Sequence, residues 1–201
     1  MLEVVCERMV RSLASSIRAL TGDTVDIALD RLTAVRFGAW LDERPLPAML
    51  GVVRFEPWHG YGLIVVDEAM ILALVDGLLG GDHAVGAPDL VERSFTAIEM
   101  RLVGKLMSMA LDSFARAFAA IADISARVER IEVNPRFAAI ASPSNAALAL
   151  DFRVAMERHG GGFSLLLPQA TIEPVRRDLM QSCMGEQDGS AAWWRAHLEH
   201  E

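Results

Sequence analysis

The sequence predicts an α/β protein of pseudo-twofold design, in which two α-β-β-β-α units share one sheet with long helices against it. Three observations carry this reading. Strand phase breaks twice in the same way, at Leu29-Asp30-Arg31-Leu32 and at Val128-Glu129-Arg130-Ile131. The apolar triplet Ile71, Leu74 and Leu78 returns 101 positions later as Ile172, Val175 and Leu179. Each half also opens with a long amphipathic helix pattern.

Leu2, Cys6, Met9, Leu13, Ile17 and Leu20 draw one stripe down the first helix, which Thr21-Gly22-Asp23 ends. Val25, Ile27 and Leu29 alternate with polar neighbours as in a half-buried strand, and the slip at Asp30-Arg31 predicts a bulge. Arg44-Pro45-Leu46-Pro47 reads as a loop, Met49 to Glu56 as a strand, Pro57 to Gly60 as a turn, and Tyr61 to Val66 as another strand. Asp67 and Glu68 set carboxylates at the start of a helix whose stripe is Ile71, Leu74, Val75 and Leu78, with Gly80 placed to cap its end.

The second half begins at a capping box, Thr96-Ala97-Ile98-Glu99, with Phe95 and Met100 set for a hydrophobic staple. That helix runs to about Ala120 and is apolar over so much of its girth that it needs contact on two sides, either two layers of core or core plus a partner. Ala126 and Val128 precede the second phase slip, and Asn134-Pro135-Arg136-Phe137 reads as a turn. Leu148, Leu150, Phe152, Val154 and Met156 alternate as a strand; Gly160-Gly161-Gly162 turns the chain into Phe163 to Leu167. Pro174 is expected at the first position of a last helix starting near Glu173. The pattern stops after Met180. Residues 1–180 are therefore expected to form one domain, and 181–201 a polar linker and the start of a further region.

Composition narrows the function. The chain has 201 residues, 52% hydrophobic, and a formal net charge of −8. Nucleic-acid binding needs a clustered basic footprint that this balance does not offer. Cys6 and Cys183 carry no ligand spacing and read as free thiols in a reduced compartment. No signal peptide and no uncharged run near the ~20 residues of a membrane span is present, so a cytoplasmic protein without membrane insertion is expected. His59, His83, His159, His197 and His200 show no zinc spacing, and there is no nucleophile elbow or phosphate loop. No cofactor and no metal are expected. Gly80-Gly81-Asp82 has the letters of a diguanylate cyclase signature, but a helix leads into it and His83 stands where that chemistry wants a glutamate. The joint from Leu78 to Gly86 is the conspicuous stretch without a counterpart in the other half, which marks it as an exposed recognition loop, the alternative being a Gly C-cap followed by a flexible linker.

Three ordered stretches carry a family resemblance: Leu74-Val75-Asp76-Gly77-Leu78-Leu79-Gly80-Gly81-Asp82, then Glu92 to Glu99, then Glu132-Val133-Asn134-Pro135-Arg136-Phe137 on to Ser144. Together they resemble the middle domain of the FliM family of flagellar motor switch proteins, over roughly Val4 to Met180. The resemblance implies the fold shared with the CheC and CheX phosphatases, a non-enzymatic place in the cytoplasmic rotor ring at the flagellar basal body, and contacts to FliG and neighbouring FliM copies. The family's GGxG contact for FliG maps to Gly80, Gly81, Asp82 and His83, with His83 standing for the last glycine. FliN and phosphorylated CheY would be engaged through family segments outside this chain. The rival is a CheC-type phosphatase of phosphorylated CheY, which needs a Glu and an Asn three residues later on each long helix. The pattern gives Glu7 with Val10 and Glu99 with Leu102, so both asparagines are missing.

Overall fold

Helix α1 (Leu2–Thr21) buries Leu2, Val5, Cys6, Met9, Leu13 and Ile17, the predicted stripe with Val5 added. The computed structural model describes residues 2–79, 94–157 and 159–176. Gly22 closes the helix at φ +79°, donating its amide to the Arg18 carbonyl at 2.8 Å, a conformation glycine adopts without steric cost. Burial pushes the Cys6 thiol up to about 12, so the side chain behaves as a small apolar residue. Cys183 lies outside the described residues.

Strand β1 (Val25–Arg36) is followed by a short helix α2 (Phe37–Asp42), then strands β2 (Ala48–Glu56) and β3 (Gly60–Asp67) and helix α3 (Glu68–Leu79). Asp67 Oδ1 accepts the Met70 amide at 2.7 Å, capping α3 where free N–H groups need acceptors. The second half holds α4 (Ala97–Phe118), β4 (Ser125–Glu132), a 3₁₀ turn at Pro135–Ala138, β5 (Ala146–Met156), β6 (Gly160–Pro168) and a short α5 (Gln169–Ile172). The capping box forms as predicted: the Thr96 hydroxyl accepts the Glu99 amide at 3.2 Å, and a Glu99 carboxylate oxygen accepts the Thr96 amide at 2.7 Å.

The six strands make one antiparallel sheet in the order β1-β5-β6-β3-β2-β4. Exchanging the halves, β1 for β4, β2 for β5 and β3 for β6, turns this order onto its own reverse, as a twofold axis between β3 and β6 requires. The register repeats as well. Leu29 faces Phe152 and Arg31 faces Asp151, leaving Asp30 as the extra residue; Val128 faces Val53 and Arg130 faces Val52, leaving Glu129. Both phase breaks in the sequence are therefore bulges at corresponding places.

One face of the sheet is covered by α1, α3 and α4, burying among others Phe55, Ile64, Leu150 and Leu165. Full burial of each such side chain contributes ~2 kcal/mol. The wide apolar girth of α4 finds its second side in α1, so the two-layer alternative holds. The buried set of α1 recurs on α4, 101 positions on, as Val103, Leu106, Met107, Ala110, Phe114 and Phe118. Ser12 and Ser113 share that offset, and Arg116 Nη2 donates to both, at 3.1 and 3.2 Å, where the helices meet.

The opposite face is covered by the two connections that come after β1 and β4. Phe37, Trp40 and Leu41 of α2, with Ala138, pack on Leu50, Val52, Leu63, Ala149 and Leu166. The connections clasp each other: the Phe37 amide donates to the Asn145 carbonyl at 2.9 Å and the Gly38 amide to the Pro143 carbonyl at 3.0 Å. A Cβ on Gly38 would lie 2.5 Å from the Pro143 Cβ, so this approach needs glycine.

Three details differ from the sequence-based expectation. Gly160, Gly161 and Gly162, expected as a turn, are the first residues of β6 and pair with Ala155, Val154 and Arg153. The last helix starts at Gln169 rather than near Glu173, and Pro174 lies in a 3₁₀ turn, Glu173–Val175, that continues it. Proline has no N–H to extend an α-helical ladder, so the chain tightens there instead of beginning there. Helix α2 has no counterpart among the predicted elements. Leu179 and the expected linker at 181–201 lie outside the described residues.

Candidate interaction surface

Gly80, Gly81, Asp82 and His83, the expected docking loop, lie outside the described residues, as does the predicted cap at Gly80. The stem on either side of the loop is described. α3 is held from below by Met70, Ile71 and Leu74, all fully buried, and ends at Leu79. On the far side, the Thr96–Glu99 box sets the start of α4.

A second surface stands out by its exposed apolar side chains. Asn134 Oδ1 accepts the Arg136 amide at 3.0 Å and starts the 3₁₀ turn with Pro135 at its head. Ala138 is buried by that turn, whereas Phe137 is 66% exposed and Val133 49%. The turn lies against β2 and β4. Leu46, 55% exposed, sits two residues before β2 at the same end of the sheet. An exposed phenyl ring at the same sheet end as two exposed aliphatic side chains is the kind of surface that marks protein contact sites. Sequence reasoning saw only a turn at 134–137. The available signal was Phe137 itself, a large apolar residue inside a turn signature.

The long helices do not carry the phosphatase constellation. Glu99 is 5% exposed, and its carboxylate accepts from both the amide and the hydroxyl of Thr96, at 2.7 and 3.0 Å. Leu102, three residues after Glu99, where the expected pattern wants asparagine, is half-buried against the core and cannot orient a water. The offset of 101 between α1 and α4 also corrects the pairing of Glu7 with Glu99, because it sets Glu7 opposite Ser108. Among the described residues, no acidic, histidine and cysteine side chains gather as a metal site, and no helix is long and apolar enough to cross a membrane.

Comparisons with known proteins agree with this geometry. The family model for the flagellar motor switch protein FliM matches residues 1–184. The FliM of Caulobacter vibrioides (strain NA1000 / CB15N) is 43% identical over 201 residues, covering 100% of this chain and 54% of that protein. The FliM of Pseudomonas aeruginosa is 28% identical over 195 residues, covering 96% of this chain and 59% of its own length. The chain thus spans about half the length of these relatives. Among solved structures, the FliM middle domain from Vibrio alginolyticus superposes with a TM-score of 0.79 at 25% identity, covering 88% of this chain and 98% of that one. A FliG–FliM complex from H. pylori contains a chain of the same fold, with a TM-score of 0.80 at 18% identity over 87% of this chain and 94% of that one. With the pseudo-twofold sheet in place and the family match running over nearly its whole length, this chain belongs to the flagellar motor switch protein FliM family.

Proposed function

We propose that this chain is a non-enzymatic interaction module of the flagellar rotor switch, working in the cytoplasm at the basal body. It binds the FliG middle domain and neighbouring copies of its own kind and so passes chemotactic switching on to rotation direction. FliN and phosphorylated CheY are engaged through family segments outside this chain. The observation that carries the reading is the exposed apolar patch of Val133 and Phe137 on a well-packed fold whose long helices lack the phosphatase groups. Family membership and the existence of a FliG–FliM complex from H. pylori support FliG as the partner.

The docking loop Gly80–His83 is assigned its role on the same footing, its glycines serving backbone shape. A side chain at Gly81 would block close approach of a partner's backbone. In a FliG titration beside a thermal melt, Gly81→Val and Phe137→Asp should each weaken binding at least about tenfold, as the loss of ~1.4 kcal/mol or more at a contact site does. Both should melt near wild type, because Phe137 contributes little to the core. If both variants bind FliG as wild type does, the docking surface lies elsewhere. The phosphatase alternative has its own check. Added to phosphorylated CheY, the chain should leave the dephosphorylation rate unchanged, and an acceleration lost in Glu99→Ala would establish the enzyme instead.

A further inference from the structure

We infer that the open groove on the α2 face of the sheet is a docking site for an extended segment of a partner protein, with a carboxylate side chain of that segment held between Arg31 and Arg44. The inference goes beyond the FliG reading and does not rest on it.

The groove, of about 840 Å³, crosses β1, β5, β6 and β3. Strand register sets one row of side chains across it. Arg31 faces Asp151, Asp151 faces Ser164, and Ser164 faces Val65. The twofold gives this row a mirror, Arg130, Val52, Leu63 and Leu166, paired in the same order. In the mirror, Val52 and Leu63 are fully buried in the cluster that α2 covers. A carboxylate and a hydroxyl thus stand where the other half has two apolar side chains. Partly burying them carries a desolvation cost that apolar packing would not.

What the polar pair does is hold an arginine. The Ser164 hydroxyl donates to Asp151 Oδ1 at 2.5 Å, and Arg44 Nη1 approaches the same oxygen at 3.5 Å. The Arg44 guanidinium also lies 4.2 Å from the centroid of the Trp40 ring, so it is fixed before any ligand arrives. Arg31 is the free member. Its mirror, Arg130, donates to Glu132 at 3.2 Å and to the Phe137 carbonyl at 3.4 Å. Arg31 is exposed and has neither hydrogen bond nor ion pair among the described residues. Two guanidiniums about one carboxylate leave this row net positive, and guanidinium forks match a carboxylate.

The groove's other charges are engaged. Arg153 pairs with Asp30 at 3.0 Å, and Asp67 accepts the Met70 amide. Glu157 accepts the Thr24 hydroxyl at 3.0 Å, six residues along β5 from Asp151. That separation is ~20 Å, beyond the screening length at physiological salt. A lone anion would fill little of the groove, so the carboxylate comes on a longer body. Gly160 and Gly162 leave bare backbone on the floor, and Leu46, 55% exposed, follows Pro45 at the rim. An acidic residue beside an apolar one, on an extended chain, fits both features.

The test uses a phage-displayed library of random peptides about eight residues long, enough to span the groove at ~3.3 Å per residue. It is selected on this chain and counterselected on Arg31→Glu. Recovered peptides should share an Asp or Glu next to an apolar residue, and should bind more weakly as salt rises. Replacing that acid by its amide, or Arg31 by Glu, should each weaken binding at least about tenfold. Arg44→Lys keeps the charge but loses the planar fork, and should weaken binding about fivefold. Arg31→Glu should melt close to wild type, since Arg31 is exposed and makes no bond. Recovery of no peptide, recovered peptides without acidic preference, or equal binding to Arg31→Glu overturns the inference. Displacement of the peptide by acetate or inorganic phosphate at the peptide's own concentration would make the groove a simple anion site and overturns the partner segment.

Discussion

Gly161→Ala should destabilise the domain by about 3 kcal/mol or more, the upper range for overpacking a close contact. A Cβ at Gly161 would overlap the backbone nitrogen of Met70 and lie 2.5 Å from its Cα, so no rotamer change can relieve it. The first turn of α3 would have to lift from β6, carrying with it the contacts of Met70, Ile71 and Leu74. In a thermal melt monitored by circular dichroism, that loss corresponds to a fall of about 10 °C for a domain this size. The twofold partner of this contact is Gly60, 101 positions earlier, which lies under Thr171 of α5. Gly60→Ala should cost less. Its Cβ would meet the Thr171 side chain, which can turn away at the expense of the 2.7 Å bond from its hydroxyl to the Tyr61 carbonyl. A melting temperature for Gly161→Ala within about 2 °C of wild type would show that α3 does not rest on that glycine.

Phe114→Ala should cost about 3–5 kcal/mol, the range for emptying a fully buried phenyl site. Phe114 has no solvent exposure and sits in an aromatic cluster, its ring 6.4 Å from Phe55 and 5.5 Å from Phe118. Trp58 stacks on Phe55 and meets Phe118 edge-on, which ties the β2–β3 turn to α4. The denaturation midpoint should fall with little change in slope, since the same surface unfolds. A midpoint shift worth under ~1 kcal/mol would mean that the cluster collapses to fill the space.

Both effects arise from a fold that the sequence announced unevenly. The paired bulges at Asp30 and Glu129 were legible because a one-residue insertion flips the side-chain alternation after it, and the flip shows in the apolar pattern. The capping box was legible because Thr96 and Glu99 act locally. Helix α2 was not legible. Phe37, Trp40 and Leu41 belong to an element of only six residues, too few to tell a helix from a short apolar run. The start of α5 was hidden for a related reason: Pro174 drew the expected helix start to itself, whereas Pro168 and Gln169 gave no capping side chain to mark the true one. The clasp of Gly38 on Pro143 joins residues over a hundred positions apart, and no local pattern records such an approach. For the candidate site, the Gly80–His83 loop came from the family resemblance, while the exposure of Phe137 needed coordinates, since apolar residues in sequence read first as core.

The two bulges also bear on how copies of the domain can lie beside one another. β1 and β4 are the outermost strands of the sheet, each with a hydrogen-bonded neighbour on one side only. An unpaired strand border is a template on which another chain can zip, and domains held close together run that risk continuously. Here each border is kinked by its bulge and studded with charge, Asp26, Asp30 and Arg31 on one and Arg127, Glu129 and Arg130 on the other. A second sheet laid along either border would lose step at the extra residue. Neighbouring molecules can therefore crowd against this domain without fusing into a continuous β-structure, and any contact made along these borders is left to side chains and loops, which can let go.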